Sequence, residues 1–138
     1  MISLLKFGGY INLGISLLHF VGLLWANEMF QFTGVKNEMD KLSTVHISLP
    51  YLLTVLVGII FAIFGVYALS VGNRTSKLPY KKTVIYGVAL LYLIRGLGEL
   101  FVDSLDYSMN ASETLFSGIA ITVGAAYGLG GYFRFKKT

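Results

Sequence analysis

The sequence predicts an all-α fold: a bundle of four transmembrane helices running up and down, with the N and C termini both cytoplasmic. Three observations predict it. The 138 residues are 55% hydrophobic and only 13% charged, against roughly 25% charged in a soluble globular domain. Four apolar stretches, residues 7–25, 49–71, 83–101 and 114–133, match the about 20 residues that cross a hydrocarbon core. The connections between them alternate in charge, as the positive-inside rule requires. Residues 1–138 therefore read as a single integral membrane domain, placed in a cell membrane and most simply a bacterial inner membrane.

The first span follows Lys6 and ends in Trp25-Ala26-Asn27-Glu28. No small-x-small cleavage site follows it, so it reads as a retained span rather than a signal peptide. Gly8, Asn12, Ser16 and His19 fall at steps of four, four and three, which puts them on one helical face. A polar stripe on an apolar span belongs inside the bundle. In the connection that follows, Met29, Phe30, Phe32, Val35, Met39 and Leu42 recur at helical spacing. That pattern suits a short amphipathic helix at the interface, interrupted at Thr33-Gly34 and lying across the outer mouth. His46, at its end, reads as an interfacial histidine.

The second span opens Ser48-Leu49-Pro50, a serine placed to cap and a proline tolerated in a first turn. It carries no charge, but it has the small residues Gly58, Ala62 and Gly65. The third carries Arg95-Gly96-Leu97-Gly98-Glu99, two opposite charges four apart. The fourth opens Asn110-Ala111-Ser112-Glu113, a capping-box spacing, and bears Ala120, Gly124 and Gly128 at intervals of four. Such ridges let membrane helices approach closely, either within one chain or in a dimer.

Orientation follows from lysine and arginine. Residues 72–82 hold Arg74, Lys77, Lys81 and Lys82 with no acid, and the C-terminus holds Arg134, Lys136 and Lys137. Both clusters flank apolar runs, so the formal charge of +4 reads as membrane topology and no nucleic-acid partner is expected. Residues 103–113 hold Asp103, Asp106 and Glu113 with no base.

A charge buried in hydrocarbon costs about 2.5–3.5 kcal/mol, whereas an exposed i,i+4 pair returns only about 0.2–0.5 kcal/mol. The third span therefore marks the candidate site. His19 lies twelve residues beyond Phe7, and Arg95 twelve beyond Thr83. Both should sit about 18 Å from the cytoplasmic face, past the middle of a core about 30 Å thick. The expected ligand-binding cluster is His19, Arg95, Glu99 and Asp103 with Tyr92 on the neighbouring turn, and Asn12 and Ser16 on the same stripe as His19.

Several chemistries are poorly served. The chain has no cysteine, which removes disulfides and thiolate chemistry. No H-E-x-x-H or G-x-S-x-G occurs, and two histidines, expected at different depths, leave haem ligation a minor reading. No metal and no cofactor are expected. The glycine-rich first span with Leu17-Leu18-His19-Phe20, and the third with Leu93-Ile94-Arg95-Gly96-Leu97-Gly98, resemble DoxX-like and related uncharacterised bacterial four-span membrane proteins. That resemblance implies a four-helix bundle and admits a redox-linked role.

Three readings stay open. The leading one is a small integral membrane protein with an outward-facing polar pocket for a small or amphipathic ligand, serving transport or an accessory function. The second is a membrane enzyme doing acid–base chemistry on a lipid-like substrate through Glu99. The third is a structural subunit without a site. Expected partners are membrane lipid, a small-molecule ligand, and a second copy or a larger membrane complex.

Overall fold

The computed structural model describes residues 2–71, 77–106 and 111–136. Every element among them is helical: α1 (Ile2–Gly22), a 3-10 turn (Leu23–Trp25), α2 (Ala26–Phe32), α3 (Lys36–Val45), α4 (Leu49–Ser70), α5 (Lys81–Asp106) and α6 (Ala111–Phe135). Four helical stretches are long and apolar enough to cross a membrane: Leu4–Phe32, Leu49–Ser70, Lys81–Val102 and Ala111–Phe135. The protein is a multi-pass membrane protein.

The spans differ from expectation mainly at their ends. The third and fourth run on past the apolar limits, through Asp106 and from Ala111, because a helix persists into the headgroup region where charged side chains are solvated. The Ser48 side chain makes no cap. The Ser48 N–H instead donates to His46 Nδ1 at 3.2 Å, and the Leu49 N–H to the His46 carbonyl. Proline in the first turn removes a donor that the serine would otherwise have to satisfy. The capping residue expected at Asn110 lies outside the described residues.

Close packing pairs α1 with α4 and α5 with α6, and α1 against α6 joins the pairs; α4 touches α5 far less. The small-residue ridges make the first two seams. A Cβ added to Gly65 would fall 2.9 Å from the Gly9 carbonyl oxygen, so the α1 and α4 backbones cross there at two glycines. Gly58 receives the side chains of His19 and Phe20. On the other pair, Gly124 packs under Leu93, Gly131 under Ile85, and Gly96 against the Ser117–Ile121 backbone. Both ridges are thus spent within the chain.

These contacts run antiparallel. Leu5 meets Gly130 and Gly8 meets Tyr127, while Ile85 meets Gly131. The start of α1 and the end of α6 therefore share one end of the bundle with the start of α5. Lys6, Lys77, Lys81, Lys82, Arg134 and Lys136 gather at that end, and the acids Glu28, Glu38, Asp40 and Glu113 at the other, together with Lys36 and Lys41 of α3. We call these the basic and acidic ends.

At the acidic end the chain between α1 and α4 folds as two short helices broken at Thr33-Gly34-Val35, as the spacing anticipates. Gly34 sits at φ 76°, a left-handed conformation that glycine adopts without strain. The α2 helix reaches α6 through an edge-on contact of Phe32 with Phe116. The α3 helix leans on α4, leaving an apolar groove of about 200 Å³ between Leu42 and Leu49–Leu56.

Candidate functional site

The polar residues of the spans fall into two groups. The first is a buried knot at mid-depth. Asn12 has no exposed surface, and its Nδ2 donates to the Tyr127 hydroxyl at 2.9 Å and to the Gly8 carbonyl at 3.1 Å. The Tyr92 hydroxyl donates to Asn12 Oδ1 at 2.6 Å. The Tyr127 hydroxyl in turn donates to the Phe64 carbonyl of α4 at 2.8 Å. One side chain of α1 thus links all four spans, and every polar hydrogen in the knot is used. Gly8 makes this geometry possible: a Cβ there would lie 2.7 Å from the Tyr127 ring.

Ser16 takes the role expected of an interhelical polar residue. It is buried, and its Oγ donates to the Gly58 carbonyl at 2.7 Å. A turn further on, His19 Nδ1 donates to the Ile15 carbonyl at 2.8 Å. Its ring lies 5.2 Å from that of Phe61, and Phe61 lies 6.3 Å from Tyr92.

The second group lies nearer the acidic end, on α5. Arg95 Nη2 pairs with Glu99 Oε2 at 3.2 Å, and Ser117 of α6 donates its hydroxyl to the same oxygen at 3.0 Å. The arginine side chain is 60% exposed and the glutamate 26%. Arg95 stands about 60° round the helix from the inward-facing Tyr92, and Glu99 about 20° on the same side. Both therefore belong to the inner half of α5. The named contacts of α4 with α5 lie towards the basic end, where Lys81 Nζ donates to the Ser70 carbonyl at 3.2 Å, and at mid-depth through Phe61 and Tyr92. Arg95 and Glu99 lie further along α5 than these contacts, nearer the acidic end.

The expected single cluster is thus divided. Among the described residues no bond joins His19 to Arg95 or Glu99, because His19 is turned into the α1–α4 seam. Tyr92 faces Asn12 rather than the glutamate. Asp103 lies on α5, but its side chain falls outside the described residues. His46 is held by the turn before α4. Among the described residues no three histidines or carboxylates come together as a metal site would require.

Tyr127 and Ser117 are the residues that sequence reasoning missed. The signal for Tyr127 was its position: a tyrosine well inside a span, away from the interface, must find a partner for its hydroxyl. Ser117 gave no such signal, since a serine can bond its own helix backbone.

No family model matches the chain, and no solved structure matches it. The chain is similar to the Na(+)/H(+) antiporter NhaA of a Nitratiruptor species, with 31% identity over 126 residues, covering 83% of this chain and 32% of the relative. The chain therefore spans about a third of the length of the curated relative it matches.

Proposed function

We propose that this chain serves membrane transport, with Glu99 the exchangeable carboxylate and Arg95 its displaceable internal counter-ion. One observation carries the reading. Glu99 is held by a serine from a second helix and by an arginine that stays largely exposed, so a buried anchor and a releasable partner meet on one oxygen. A carboxylate that already holds an internal cation accepts an external one, or a proton, by letting that cation go. Protonation of Glu99 frees Arg95 for an anionic or carbonyl group; deprotonation favours a cation. The similarity to a sodium–proton antiporter supports exchange of this kind. Secondary transporters often bind ions where a spanning helix is interrupted at mid-depth, whereas α4, α5 and α6 are each continuous. The side-chain pair would therefore supply the site alone.

The knot favours the competing reading of a structural subunit, because its hydrogen bonds close on themselves. Proteoliposomes carrying a pH-sensitive dye separate the two. A sodium or lithium gradient should drive proton movement through the wild-type protein, and Glu99→Gln should abolish it. Glutamine keeps a carbonyl oxygen for Ser117, so the fold should survive and its melting temperature should stay near that of the wild type. Absence of cation-linked proton flux in the wild type, or its persistence in Glu99→Gln, overturns the proposal.

A further inference from the structure

The face of the bundle between α1 and α6 has no part in either polar group. It forms an open groove of about 650 Å³, with Phe7 and Ile11 of α1 on one side and the first half of α6, from Ala111 through Gly118 to Thr122, on the other. Its floor is low because Gly118 carries no side chain, and a Cβ there would meet nothing within 4 Å. By helical spacing, the α6 side of this face continues through Leu129 to Tyr132 and Lys136 at the basic end. There Lys136 Nζ donates to the Tyr132 hydroxyl at 2.9 Å and lies 5.1 Å from the centre of its ring.

We propose that this groove holds an anionic phospholipid, its acyl chain along α6 and its phosphate at Lys136 and the Tyr132 hydroxyl. Length and charge both select that occupant. Tyr132 to Gly118 spans about 21 Å along the helix, the reach of one long acyl chain below its headgroup. All seven carboxylates of the sequence lie at or beyond Glu99 on α5, or before α4 and at the start of α6, away from the basic end. A phosphate at the basic end therefore meets lysine and arginine with no competing acid. Tyrosine and lysine at the mouth also match the interfacial depth at which headgroups sit.

Native mass spectrometry of the detergent-solubilised protein tests this with phosphatidylglycerol, phosphatidylethanolamine and glycerol 3-phosphate as probes. The wild type should retain phosphatidylglycerol over phosphatidylethanolamine and ignore glycerol 3-phosphate. Gly118→Leu, which fills the groove where space is free, should lose both lipids without changing the melting temperature. Lys136→Gln should keep lipid binding but lower the anionic preference by about fivefold. Equal retention of the two lipids by the wild type overturns the proposal. So does phosphatidylglycerol binding unchanged by Gly118→Leu, or displacement of lipid by glycerol 3-phosphate, which would mark a site for free phosphate. A dimer that Gly118→Leu dissociates would show the groove to be an interface between copies instead.

Discussion

The knot around Asn12 and the pair on α5 are both polar groups set in apolar helices, yet they solve the problem of polarity in opposite ways. The knot uses every donor it has, all but one of them on another helix, and its three side chains are buried. The pair neutralises itself within one helix and borrows one bond from α6, leaving the arginine mostly uncovered. In hydrocarbon an unmade hydrogen bond is expensive, so a saturated network holds helices in place and is unsuited to exchanging partners. A group that is to bind and release something must keep a weaker or more accessible partner. The contrast separates what holds the bundle together from what is free to act.

Asn12→Leu should strike hardest at this contrast. It strands the Tyr92 hydroxyl and removes the donor that Tyr127 accepts, and we expect a loss of about 3 kcal/mol, read as a lower midpoint in thermal or denaturant unfolding in detergent. Tyr92→Phe added to it should restore part of that loss, because one orphaned hydroxyl disappears. Next comes Gly96→Ala. Its Cβ would fall 2.9 Å from the Ser117 carbonyl oxygen and 3.1 Å from the Ile121 amide nitrogen, so the α5 and α6 backbones must part. About 1–3 kcal/mol is expected, with a lengthened Glu99–Ser117 bond that should also weaken any cation-linked flux. Smallest is Arg95→Leu, which should change the unfolding midpoint by the equivalent of less than about 1 kcal/mol, since the side chain is largely exposed and its pair is local. If Arg95→Leu proves as damaging as Asn12→Leu, the pair is part of the framework and the contrast fails.

Much of the framework was legible in the chain. The spacing of Gly58 and Gly65 and of Ala120, Gly124 and Gly128 announced helix seams, and each of these residues is packed within the bundle. The interruption at Thr33-Gly34 was readable because a glycine between two amphipathic runs leaves the helix few ways to continue. Asn12 and Ser16 were readable as inward-facing, since they share a face with Gly8. The depth of His19 was inferred from helix rise alone, and the Asn12–Tyr92 bond sets His19 level with Glu99 rather than with Arg95; depth also says nothing about rotation. His19 turned to Gly58 and Phe61, away from α5.

The sequence by itself determined the number of spans and the separation of a basic from an acidic end. These depend on composition along one dimension, where the cost of placing a charge or an unpaired amide in hydrocarbon decides the outcome residue by residue. Only the tertiary structure decided which polar group meets which. The packing order α4, α1, α6, α5 brings Tyr127 rather than Glu99 to Asn12, and gives Glu99 to Ser117. Such choices depend on how each helix is rotated and which neighbour it faces, and those are set by backbone approach at glycines from two distant parts of the chain.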